Sequence, residues 1–280
     1  MRTRLTAGEK PNRKRMAALV TVYDAEPAER RPHDVIAPPG GRTGARELRP
    51  GPEARAKWLA GSVRKDPADM IALAFDEAEA RDPLHQRTWV VLVDGAEHQL
   101  SLIRAEAARR GVTIHVIIDV IHVLEYIWGA AWSLHAAGDP AAEDWVAARA
   151  LAVLAGDSDR AAAEITAQAD AAGLEGSRRS GADACVRYLG NKRDCLRYDQ
   201  ALAAGWPIAT GVIEGACRHL IGDRLDIGGA RWGLDGAEAV LTLRAVISNG
   251  DFEEYWRYHL EREHQRLYPG IKKGQYTLGA

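Results

Sequence analysis

The chain has 280 residues, enough for one large domain or two small ones with a substantial buried core. Its apolar share of 46% and charged share of 27% are those of a globular protein, and exclude a disordered or fibrous chain. The formal net charge of −2 gives no global bias toward nucleic acid, so any such role has to rest on local basic patches.

The amino terminus, MRTRLTAGEKPNRKRM, is basic but lacks the apolar stretch of a secretory signal. No apolar run approaches the length of a membrane span. A cytoplasmic, non-membrane protein is expected. The three cysteines, Cys185, Cys195 and Cys217, fit a reducing compartment. With no CxxC pair, and with His219 only two positions after Cys217, zinc is not expected.

The first element is Met16 to Tyr23, β-rich and followed by Asp24. A proline-, glycine- and arginine-rich stretch from Glu26 to Pro52 reads as a mobile loop. Glu53 to Ala80, with Trp58, Leu59, Val63, Met70 and Ile71, reads as one or two amphipathic helices broken near Asp66-Pro67. Two short apolar runs follow, Thr88 to Val93 and Thr113 to Ile118, each closed by an aspartate, Asp94 and Asp119. The helical pattern from Glu97 to Arg110 makes this a strand–helix–strand unit with parallel strands and a right-handed crossover. Ligand sites of open α/β sheets lie beyond the carboxyl ends of strands. Both aspartates stand there.

From Val120 to about Tyr198 the strand signal is absent and helical spacing dominates. A connector ends in Gly205-Trp206-Pro207. Helices are predicted from Val212 to Leu225, from Leu234 to Ser248 and from Phe252 to about Gln265. The domain reading is a core from 1 to 125, an all-helical insertion from 126 to 204, a completion of the core from 205 to 250, and a C-terminal helix and tail from 251 to 280.

Clustered carboxylates at a strand edge suit two-metal phosphoryl chemistry, which needs ions about 4 Å apart. Asp94 fits a ligand because Gly95 lets the chain turn away at once. Glu214 lies in the glycine-flanked GVIEGACRHL, with Arg218 one turn on, available to a phosphate or to Glu214 itself. Each has a plainer reading: Asp94 as a turn residue, Glu214 as a helix-dipole partner, Asp119 as the N-cap of a helix with His122 a partly buried imidazole.

The order strand-Asp94, helix, strand-Asp119, helical insert, helix-Glu214 resembles the ribonuclease-H-like core of DDE transposases. The segments RTWVVLVDGAEHQL, IIDVIHVLEYIWGAAW, GWPIATGVIEGACRHL and DRLDIGGARWGLDGAEAVLTLRAVISNGDFEEYW are similar to insertion-sequence transposases of the Kra type, relatives of the Mutator-like superfamily. The similarity covers nearly the whole chain. It implies an α/β fold, a ribonuclease-H-like mixed sheet interrupted by the helical insertion. It implies Asp94 as second and Glu214 as third catalytic acid, both binding magnesium or manganese, with Asp119 and His122 as the accessory Asp-x-x-His motif. DNA, as transposon end and target, is the implied partner, in a homo-oligomeric complex. Arg218, Arg224, Arg231, Arg13, Lys14 and Arg15 are the expected DNA contacts, and Trp232 offers a face to a base.

The segment carrying the family's first acid is expected upstream of Met1, so the resemblance implies an amino-terminally truncated, inactive transposase that lacks its first acid and any upstream DNA-end-binding domain. Asp24 is the other candidate for that acid. Two alternatives remain: a non-catalytic DNA-binding regulator, and a small phosphohydrolase built on Asp94, Asp119 and His122.

Overall fold

The computed structural model describes residues 16–41, 47–227 and 231–269, and the chain is α/β. It divides into two compact units, one of Tyr23–Ala56 and Ile71–Val212, the other of the residues up to Val22, Lys57–Met70 and those from Ile213 onward.

In the first unit, β3 (Trp89–Val93), α3 (Glu97–Arg110) and β4 (Ile114–Ile118) form the expected strand–helix–strand unit. The strands pair in parallel, from Trp89 opposite Ile114 to Val93 opposite Ile118. α3 ends where Gly111 adopts φ 69°, a conformation that lets its N–H reach back to Ala107 and Ala108.

Five helices follow: α4 (Val120–Leu134), α5 (Pro140–Leu154), α6 (Ser158–Ala171), α7 (Ser180–Asn191) and α8 (Tyr198–Ala203). They share one hydrophobic core with β3, α3 and β4. Leu100, Ile103 and Ile118 join Ile127, Leu154, Ile165, Leu189 and Leu202 in it. At the crossing of α4 and α7 a Cβ on Gly181 would stand 2.2 Å from the carbonyl oxygen of Gly129. The missing side chain of Gly181 lets the backbones meet there.

The stretch from Glu26 to Pro52 departs from the mobile loop expected of it. It contains the short α1 (Pro32–Val35), and Val35 and Ile36 pack against the core. Ala28 N–H donates to Gly205 O and Arg30 N–H to Leu202 O, both at 3.0 Å. Arg30 also donates to Trp206 O. Backbone hydrogen bonds to a distant segment hold it, and composition carries no record of those.

Residues 53–62 depart from the helix that their spacing predicts: β2 (Ala54–Ser62) is a strand paired with β1 (Ala18–Ala25), and the helix α2 (Pro67–Arg81) begins only at the predicted break. Alanine, arginine and lysine favour helix locally. Pairing overrides them: Thr21 Oγ1 donates to Trp58 O at 3.0 Å.

The second unit rests on β2 and α10 (Leu234–Asn249). Asn249 brackets Leu59, accepting its N–H at 2.8 Å and donating to its carbonyl at 3.1 Å. Glu238 accepts from Ser62 Oγ at 2.7 Å and from Val63 N–H at 2.8 Å. The helix expected from Val212 to Leu225 is shorter: α9 covers Gly211–Cys217 and gives way to a π-turn at Arg218–Gly222. α11 (Phe252–Leu267) completes the unit. Among the described residues no helix is long and apolar enough to cross a membrane.

Two stability predictions follow from the first unit. Gly181→Ala gains helix propensity of up to about 1 kcal/mol, but overpacking against the Gly129 backbone costs about 1–3 kcal/mol. Its urea midpoint should therefore fall, and an unchanged midpoint would disprove the tight crossing. The second concerns Arg110, which joins α2 to α3 through Asp76, Glu79 and Glu106. The Arg109 hydrogen bond, helped by Arg110 and opposed by partial burial, lowers the Glu106 carboxyl from 4.5 to about 2. A depressed folded pKa gives stability that is present above the unfolded value and lost as pH falls. Stability should decline between about pH 4.5 and pH 2, and Glu106→Gln should flatten that part of the curve.

Candidate active site

The register that ends β3 and β4 together also places Asp94 and Asp119 on one edge. Each is the next residue after a register pair, Val93 and Ile118, and Asp119 N–H donates to Val93 O at 2.8 Å. This is the arrangement the two apolar runs predict. The carboxylates nevertheless sit in opposite environments.

Asp119 is 4% exposed and caps α4. Its Oδ1 accepts from Ile121 N–H at 2.7 Å, and its Oδ2 accepts from Thr210 N–H at 2.8 Å and from the Thr210 hydroxyl. Beside it, Val120 N–H donates to Ile208 O at 2.9 Å, and the buried Tyr198 hydroxyl donates to Ile118 O at 2.7 Å. A buried carboxylate is tolerable only when its lone pairs are matched by donors. Both oxygens of Asp119 are, and they tie the start of α4 to the segment Ile208–Thr210.

Asp94 is exposed. Its Oδ1 accepts from Ala96 N–H at 3.1 Å, and among the described residues its Oδ2 has no hydrogen bond. The next residue, Gly95, is buried with φ 92°, and a Cβ there would lie 2.9 Å from Ile118 Cδ1 and 3.1 Å from Tyr188 Oη. Only glycine takes that turn without strain.

His122 lies on α4, one turn past Asp119. Its Nδ1 is 3.0 Å from Glu125 Oε2, and its ring stands edge-on to Tyr126 and Tyr188. These tyrosines stack with centroids 3.8 Å apart and planes 14° from parallel. The Tyr188 hydroxyl donates to the main-chain oxygen of Asp94 at 3.2 Å. Burial, then the neighbouring Tyr126 and the carboxylates of Asp94 and Asp119, raise its pKa, so it remains a donor.

Glu214 belongs to the second unit, in the first turn of α9. It is exposed, and among the described residues neither a hydrogen bond nor an ion pair to Arg218 engages it. Arg218 and Arg231 are also exposed. Arg224 stands 5.6 Å from the centroid of Trp232, which is 39% exposed and not a core residue. Arg13, Lys14 and Arg15 lie outside the described residues.

Asp24 is paired with Arg87 at 2.8 Å and with Arg81 at 3.6 Å. Two guanidiniums already match its charge. Cys185 and Cys195 are buried thiols, and burial pushes Cys185 up to about 12.

A hard cation such as magnesium prefers carboxylate oxygens free to bind it. Asp94 and Glu214 fit that requirement, while Asp119 does not. Among the described residues no three His, Cys, Asp or Glu side chains are gathered as a metal-holding group, so the fit is that of individual carboxylates.

Sequence reasoning missed Tyr126, Tyr188 and Thr210. Tyr126 carried a weak signal, falling four residues after His122 on the same helical face. Tyr188 and Thr210 carried none, since each reaches the site from more than ninety positions away.

No family model, curated protein or solved structure matches this chain.

Removing the Asp119 carboxylate deletes a helix cap and leaves buried donors without partners. Asp119→Ala should cost about 2–4 kcal/mol, read as a lower urea midpoint, with Asp119→Asn intermediate. A neutral Asp119→Ala would refute the structural assignment.

Proposed function

We propose that the chain is a DDE-type DNA transposase related to insertion-sequence enzymes of the Kra type, with a ribonuclease-H-like core. The observation that carries this reading is Asp94: an exposed carboxylate with an uncommitted oxygen at the carboxyl edge of two parallel strands. The long sequence resemblance around Asp94, Asp119, Glu214 and the stretch from Asp223 to Trp256 supports it.

In this reading Asp94 and Glu214 hold magnesium or manganese. Bound there, the ions would supply charge stabilisation for in-line displacement at phosphorus. Asp94 offers the cation one oxygen while its other oxygen stays on Ala96 N–H. Asp119 positions the segment leading into α9 and binds no ion. His122, carried on α4 beside the Asp94 turn, lends its ring to the packing there. Arg218, Arg224 and Arg231 contact DNA phosphates, with Arg13, Lys14 and Arg15 as further contacts, in a homo-oligomeric complex on transposon ends and target DNA.

A second reading, a non-catalytic DNA-binding regulator, is favoured by one observation. Asp24, the other strand-end acid available to complete a triad, is neutralised by Arg81 and Arg87.

One experiment separates the two. The purified chain is incubated with duplexes from the DNA flanking its own gene, with magnesium or manganese. A transposase nicks or joins these ends, and Asp94→Asn or Glu214→Gln lowers the rate by roughly 100-fold or more while binding persists. Salt-sensitive binding without cleavage, weakened by Arg218→Ala or Arg231→Ala, supports the regulator. Absence of both binding and cleavage refutes both readings.

A further inference from the structure

Helix α7 and the residue that caps its C-terminal end, Lys192, touch the turn between β3 and α3 at two points four residues apart. Tyr188 donates to Asp94 O at 3.2 Å, and Lys192 Nζ lies 2.6 Å from Glu97 Oε2. The C-terminal end of α7 therefore lies along the chain from Asp94 to Glu97. What brings α7 there is its crossing with α4, where Gly181 meets Gly129, together with the Tyr126–Tyr188 stack.

The two ends of Asp94 are then fixed separately. Its carbonyl is held by Tyr188, and its Oδ1 by Ala96 N–H. Residue 95 between them is a glycine at φ 92°, and a Cβ there would stand 2.9 Å from Ile118 Cδ1 and 3.1 Å from the Tyr188 hydroxyl, so Tyr188 closes over the same turn. With its carbonyl and Oδ1 both hydrogen-bonded, Asp94 has fewer side-chain arrangements open to it. A preformed ligand loses less conformational entropy when it binds.

We propose that Tyr188 is a positioning residue for Asp94, through which the helical segment α4–α8 orients the carboxylate that holds the metal. The inference rests on the proposed metal-binding role of Asp94, and adds that a residue 94 positions away sets its geometry.

The test uses the full chain and Mn2+ alone, followed by titration calorimetry and by the electron paramagnetic resonance spectrum of the bound ion. Tyr188→Phe deletes the hydroxyl and keeps the ring on Tyr126. It should weaken Mn2+ binding roughly threefold to tenfold, the effect of one lost hydrogen bond, and broaden the spectrum. Asp94→Asn should lose the site. Tyr126→Phe removes a hydroxyl from the same stack that has no bond to the Asp94 turn, and should bind Mn2+ as the unaltered chain does. Circular dichroism melts of each variant report folding separately.

Equal affinities for Tyr188→Phe and the unaltered chain, with Asp94→Asn still abolishing binding, would overturn the positioning role alone. Equal weakening by Tyr126→Phe and Tyr188→Phe would also overturn it, as a general packing effect. An Asp94→Asn variant that binds Mn2+ normally would overturn the metal assignment beneath it.

Discussion

The larger unit is organised around a buried carboxylate. Asp119 stands where β4 ends, α4 begins and the Ile208–Thr210 segment passes, and it accepts a hydrogen bond from each of the last two. The cost of burying a charge is high, and only a complete set of donors offsets it. Three donors arriving from two segments more than eighty residues apart therefore select a single arrangement of those segments. The parallel register of β3 and β4 then carries that arrangement to Asp94, one strand over.

The division of labour between the two aspartates follows from solvent. They share an edge and a register, yet one is enclosed by Thr210 and the first turn of α4, and the other faces water with an oxygen to offer. A carboxylate that is fully hydrogen-bonded is a poor ligand for a hard cation, and an open one is a good ligand. Proximity at the strand edge thus does not make a pair of ligands. The tyrosines add a second layer, since a helix bundle that packs as one core with the strands also reaches the turn that carries Asp94. In this sense the helical segment is a wall of the turn that carries Asp94.

Legibility varied with the range of the interaction that decides each feature. β3, α3 and β4 were readable to within a residue because apolar runs of β-branched residues and a glycine stop leave strong local signals. β2 was not, because Ala54 to Lys57 have helix-favouring side chains and only pairing with β1 makes them a strand. The Glu26–Pro52 stretch has the composition of a loop, but the anchoring of Ala28 and Arg30 to Gly205 and Leu202 is a matter of backbone atoms that composition does not encode. Trp232, whose commoner fate is a core position, is instead exposed, with Arg224 over its ring.

The sequence alone determined the strand–helix–strand unit, the shared edge of Asp94 and Asp119, the helical run after them, and the glycine that Asp94 requires behind it. These depend on periodicity and on backbone chirality, which act over a few residues. Only the tertiary structure decided that Asp119 is enclosed and Asp94 open, and that Tyr188 and Thr210 complete their surroundings. Burial and hydrogen-bond partnership are properties of segments brought together from across the chain, and no local pattern specifies which segments will meet.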